Sequence, residues 1–313
     1  MTTDGDGTFR PSEDLNVLGE ELPIADPPQR VSGMRVPASW ALAGKPPELP
    51  GDADDAWRQT GFQLGEDLRL LAAGLDLQVR IAGTGYTARA RTMRMAAQAS
   101  LWSRALVTAS DAAHLTRTGS YQSAAGLVRQ ATELVAAQAG LESDYEAFKR
   151  WAHEAYGRHA EARAEEVGVG HYFAGEVIAR DEELRRVYRA SSDLARPNFG
   201  PTALFTANEA THQRYPLIFA DRAFHFGWAQ LLLGWLLRLD AKQLHLALHA
   251  AALFPASDEL HAEAVEHVRR VEAQLADDGR CHIEDWTDDE GRRRHLLVAF
   301  RRQSSDAPRR LLL

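Results

Sequence analysis

The sequence predicts a mainly α protein: a multi-helix bundle with a Pro-rich extended N-terminal arm and a small C-terminal β-hairpin. Three observations carry that expectation. Leu127, Leu134 and Leu141 recur every seven residues, with Ala124, Val128, Ala131 and Val135 in the same stripe and Gln122, Gly126, Arg129 and Glu133 opposite. That is the period of an amphipathic helix. Eight of the thirteen prolines fall in the first 50 residues, and proline both fixes φ and removes a backbone donor. Beyond Gly279 the period drops to two, with 281–286 and 295–300 flanking Asp288, Asp289, Glu290 and Gly291, the pattern of a hairpin.

The elements follow in order. Residues 1–54 read as a partly disordered arm, pinned to the body by Val31, Met34, Val36 and Trp40. A helical domain is expected over 55–276, and a hairpin with its tail over 277–313. The first helix covers 57–75. Residues 77–81 (LQVRI) alternate briefly and offer a strand for the hairpin to pair with. Tyr86, Ala90, Met93, Ala97, Leu101, Ala105, Ala112 and Leu115 trace one long helix over 84–118, closed by Gly119. The helix over 120–141 returns antiparallel to it, because the connection is short.

Residues 142–166 read as a charged helix with Tyr145, Phe148, Trp151 and Tyr156 as its apolar contacts, and helix resumes over 171–192. Pro197 and Pro201 make 195–201 a loop. Pro216 begins the next helix, which runs to Leu239, and Asp240 caps another through Phe254. Ser257 is the expected N-cap of a last helix, with Asp258 and Glu259 in its first turn and Leu260, Ala264, Val268, Val271 and Leu275 as its buried stripe.

Bulk properties narrow the functional classes. The chain has 313 residues, a net charge of −8 and 45% hydrophobic residues, so it can bury a core and does not bind nucleic acid through bulk positive charge. Cys281 is the one cysteine, which excludes an intrachain disulfide and a cysteine-rich zinc site and fits a cytoplasmic setting. The start, MTTDGDGTFRPSEDL, has no apolar segment of signal-peptide type. The run FGWAQLLLGWLL at 226–237 has twelve residues, short of the ~20 a membrane span needs. No cofactor motif is complete; Gly83-Thr84-Gly85 lacks the surroundings of a phosphate loop.

Three constellations remain. Arg129 and Glu133 form an i,i+4 pair in the order less favourable for an isolated helix, which suits a polar pocket as well as a surface ion pair. Arg238 and His245 (RLDAKQLH) are separated by six residues, with Leu239 directly after the arginine. His245 with His249, and Glu263 with His267, each span one helical turn; if the two pairs converged they would supply a zinc ligand set. Asp111/His114 and Glu209/His212 each form half of a di-iron pattern.

The stretch 120–141, with its LVRQATEL core, resembles the Leu-x-Arg-x-x-x-Glu helix of a family of uncharacterised bacterial helical proteins distantly similar to HEPN nucleases. Residues 188–200 (YRASSDLARPNFG) resemble that family's tyrosine–serine–histidine–proline stretch, with Arg196 where the family has histidine. The resemblance spans about 80 residues. It implies an all-α fold and a binding cluster of Arg129, Glu133, Tyr188, Ser192 and Arg196, without an established activity. Three functional expectations follow: a helical protein working by self-association or partner binding, with a homo-oligomer expected; a HEPN-like ribonuclease or toxin-related protein using Arg238 and His245, or the Arg129, Glu133 and Arg196 cluster, with RNA as its partner; and a metal-dependent helical enzyme using His245, His249, Glu263 and His267.

Overall fold

The structure, a computed structural model, describes residues 34–88, 92–144, 146, 174–207 and 213–312. Among the described residues helix begins at Gly51, directly after Pro50. Helix α1 (Gly51–Gln63) turns into α2 (Gly65–Gly83) through Leu64, which leaves helical geometry at φ −122° and ψ 29°. Residues 77–81 therefore belong to a helix and not to a strand. Ten of the nineteen α2 residues are buried, Leu77, Val79 and Ile81 among them. A helix covered on several sides loses its 3.6 period, and a short window of it then mimics alternation.

After α2, Thr84–Thr87 form a single 3-10 turn and the chain leaves helix at Ala88. Tyr86 is thus not part of a long helical stripe. Its hydroxyl donates to the Met34 carbonyl and accepts from the Val36 amide, at 2.6 and 3.0 Å. Trp40 donates its amide to Asp76 at 2.8 Å, and Arg117, stacked on Trp57, donates to the Ala43 carbonyl. The described part of the arm, from Met34, is strapped along α2 and the helix that ends at Arg117; Val31 lies outside the described residues.

Helix α3 (Met93–Arg117) starts at Thr92, whose side chain accepts from the Met95 amide, and stops at Gly119 with φ +72°. A Cβ there would sit 2.0 Å from the Arg222 carbonyl oxygen, so both the left-handed turn and the close approach require glycine. Helix α4 (Tyr121–Ser143) then packs back along α3. Leu134 and Leu141 are buried and Leu127 is packed against the core, while Gln122 is exposed and Arg129 and Glu133 are half-buried. The charged helix expected over 142–166 falls almost wholly outside the described residues.

Helices α5 (Ala174–Arg180) and α6 (Glu182–Ala195) cover the other flank of α4, with Asp181 capping α6 by accepting from the Leu184 amide. Residues 195–201 are not all loop: α7 (Phe199–Thr206) starts within them and takes Pro201 in its first turn, where a missing amide costs nothing. Pro216 starts no helix. The chain runs irregularly to His225, which caps α8 (Phe226–His249). Asp240 does not interrupt α8, because a buried partner set holds its side chain.

Nineteen of the 24 residues of α8 are buried, and α1, α2, α3, α4, the helix over 258–275 and the sheet all touch it. It is the central helix of the fold. Among the described residues no helix is long and apolar enough to cross a membrane. Ser257 caps α9 (Asp258–Leu275) as expected, and Ala264, Val268 and Val271 are buried in its stripe. The expected hairpin is present and gains a third strand: β1 (His282–Thr287), β2 (Arg293–Phe300) and β3 (Arg309–Leu312) form an antiparallel sheet in the order β1-β2-β3. The turn has Gly291 at φ +76°. A bulge between Leu297 and Phe300 buries both Ala299 and Phe300. Phe300 then packs on His225 and Trp228, and the Arg302 and Arg301 carbonyls accept from the first two amides of α8. The sheet is fused to the start of the central helix.

Candidate functional site

Helices α4 and α6 bring part of the first predicted cluster together. Arg129 Nη2 lies 3.1 Å from Glu133 Oε1, and the Arg129 guanidinium sits 5.5 Å from the centroid of the Tyr188 ring. A partly exposed pair of this kind contributes about 0.3–0.5 kcal/mol, and the cation–π contact about 0.5–1 kcal/mol. Ser192 is one turn beyond Tyr188, buried, with no hydrogen-bond partner for its hydroxyl among the described residues. Arg196 is separate: it is exposed past the end of α6 and lies 3.7 Å from Asp193. The arrangement orients two helices and holds no activated nucleophile.

Arg238 and His245 are two of the five α8 residues that are not buried; Lys242, Leu248 and His249 are the others. Seven positions apart, Arg238 and His245 share a helix face at an axial spacing of roughly 10 Å. Both line one groove of about 430 Å³ between α8 and α9, with Lys242 between them and Glu272 opposite. Arg238 is held by Glu183 at 3.0 Å, and Lys242 by Asp181 at 2.6 Å. Partial burial works to raise the Asp181 carboxyl, but the Leu184 amide and the Lys242 ammonium outweigh it and hold it below the usual range.

The metal-ligating pairs do not converge. His245 and His249 are exposed, Arg80 grips Glu263 through two hydrogen bonds of 2.9 and 2.6 Å, and His267 is buried 3.1 Å from Asp240. Among the described residues no group of three or more His, Cys, Asp or Glu side chains is placed to hold a metal ion. His114 packs edge-on against Trp57; Glu209 and His212 lie outside the described residues.

Two interior polar clusters were missed. Asp240 accepts from Gln78 at 2.5 Å and sits beside His267, while Gln78 accepts from the Trp102 indole at 2.7 Å. Burial raises the Asp240 carboxyl despite His267 and Gln78. Gly74 makes room for it, since a Cβ there would meet Asp240 at 1.9 Å. Asp67 accepts two hydrogen bonds from Arg280, at 3.0 and 2.6 Å, and one from Gln274. These clusters join α2 to α8, α9 and the start of the sheet. Their sequence signal was a charged residue at an inward helical position.

The apolar face and cleft around 199–228 also escaped the sequence reading. Of the eleven large apolar side chains exposed among the described residues, five are Phe199, Tyr215, Leu217, Ile218 and Phe219. Phe199 stacks on Tyr215 at 6.3 Å, and Phe219 is 92% exposed. Behind them a cleft of about 400 Å³ opens at the start of α4, between residues 119–123, residues 217–225 and Arg302, over Phe205 and Trp228. The visible signal was the apolar run 215–220, which was absorbed into an expected helix after Pro216.

No family model matches this chain, and neither a curated protein nor a solved structure matches it. What the fold and these surfaces define is a helical protein built around one buried helix and closed by a small sheet.

Proposed function

We propose that this is a helical protein that works by self-association, through the face formed by Phe199 and residues 215–219. The observation that carries the reading is the gathering of five large apolar side chains at one exposed place. Contiguous apolar surface of this sort marks interaction sites, and burying a residue such as Phe219 or Leu217 contributes about 1.5–3 kcal/mol. A second copy suits this face in particular. The uncharged run 215–220 is flanked by Arg214 and Asp221. In a two-fold contact whose axis crosses the segment, the two copies run in opposite directions, which sets Arg214 of one copy against Asp221 of the other.

Sedimentation velocity over a concentration series tests this. The expected result is a reversible dimer, converted to monomer by Phe219→Asp or Leu217→Glu with the thermal melt unchanged. A wild-type chain that stays monomeric at every concentration contradicts the reading.

A second reading, RNA cleavage by Arg238 and His245, is favoured by one observation: both side chains line the same groove with Lys242 between them. It predicts RNA degradation that Arg238→Ala and His245→Ala each abolish. Degradation unchanged in both variants, or absent from the wild-type chain, removes it.

A further inference from the structure

We propose that the cleft at the start of α4 binds a small organic anion, with a carboxylate or phosphate head on an apolar body. Four features of its wall point to that chemistry. The first is the helix end itself. Ser120 precedes α4 without capping it through its side chain, and the first turn contains no acid. The amides of Tyr121, Gln122 and Ser123 have no acceptor among the described residues, and they carry the positive end of a 23-residue helix.

The second feature is a pair of buried donors. His225 is 3% exposed, lines the cleft, and accepts the Trp228 amide at Nδ1. Because Nδ1 accepts, the proton of the neutral ring sits on Nε2, which has no hydrogen-bond partner among the described residues. Tyr121 accepts the His225 amide at its hydroxyl oxygen, 3.0 Å away, and its own hydroxyl proton finds no acceptor among the described residues. Buried donors without acceptors are costly in a native interior, and an anion supplies acceptors only.

The third feature is charge. Arg222 and Arg302 line the cleft against the single carboxylate of Asp221, and Asp221 already accepts the Ala223 amide at 2.8 Å. Arg222 makes no side-chain hydrogen bond or ion pair among the described residues. The fourth is the floor, where Phe205 stacks on Trp228 with ring centroids 4.7 Å apart. An apolar body lies there while its head faces the amides and guanidinium groups. The volume, about 400 Å³, is within the range of small-ligand sites.

The test uses the full chain and four probes: phenylacetate, phenyl phosphate, benzyl alcohol and inorganic phosphate, each titrated by calorimetry and by ligand-observed NMR. Phenylacetate or phenyl phosphate is expected to bind saturably, with benzyl alcohol and inorganic phosphate at least about tenfold weaker. Arg222→Gln weakens that binding about tenfold. Ser120→Asp puts a carboxylate where the head belongs, so it abolishes binding while holding or raising Tm, because aspartate is a favourable N-cap. That pairing separates loss of the site from loss of the fold. Absence of saturable binding by both organic anions overturns the proposal. So does benzyl alcohol binding as tightly as they do, or binding that survives Ser120→Asp. The same titrations on Phe199→Asp, a change on the apolar face outside the cleft wall, keep this outcome distinct from that of the self-association reading.

Discussion

His225 shows how one side chain serves two elements. It caps α8, stacks on Phe300 at 4.6 Å and gives its amide to Tyr121. Burial first, and then Arg302 and Arg309, push its pKa down to about 3. A depressed folded-state value means that its contribution to stability is complete above the unfolded pKa of about 6.5 and is lost as pH falls toward 3. The slope from this group reaches at most about 1.4 kcal/mol per pH unit. His295, lowered by burial despite Asp193 and Asp285, acts in the same sense, and the raised carboxyl of Asp240 opposes both at the acid end. Urea midpoints are therefore expected to fall from pH 6.5 to pH 4, and His225→Asn, which keeps a capping side chain, to flatten that fall. An unaltered profile in His225→Asn contradicts the assignment. The Asp67–Arg280 pair is nearly solvent-free on both sides. Arg280→Met should cost about 3–5 kcal/mol in chemical denaturation, because it strands the Asp67 carboxylate, while Asp67→Leu combined with Arg280→Met recovers most of the loss.

At the scale of elements, helix ends carrying chemical punctuation were legible. Gly119 stops α3, Ser257 starts α9, and Gly291 turns the hairpin. Elements whose ends depend on tertiary partners were not. Residues 77–81 alternate only because α2 is covered on several faces, and Asp240 resembles a cap until Gln78 and His267 are set beside it. Pro216 can open a helix, yet here the Ile218 amide goes to the Thr206 carbonyl and the segment stays irregular. The sheet takes its stability from its seat on α8. Phe300 is fully buried against His225 and Trp228, so Phe300→Ala is expected to cost about 3–5 kcal/mol. Hydrogen exchange should show β2 and the first turn of α8 opening together in that variant. Loss of protection in β2 alone would show that the two are not one unit.

For the molecule as a whole, architecture was more legible than sites. Burial is written along the chain as a period, whereas a cleft is made by residues far apart in sequence. Gly119, His225 and Arg302 belong to three segments that meet only when the sheet docks on the bundle. Arg129, Glu133 and Tyr188 were foreseen together and do meet, while Arg196 turns away to Asp193. The apolar face at 215–219 is the surface on which the functional reading rests, and its flanking charges allow a direct test. Arg214→Glu and Asp221→Arg each place like charges across the proposed two-fold contact, so each variant alone should shift toward monomer. Mixed in equal amounts they restore opposite charges at both ends of it. Sedimentation equilibrium of the mixture should show a heterodimer at least about tenfold tighter than either homodimer. A mixture that associates no better than its components would contradict the account.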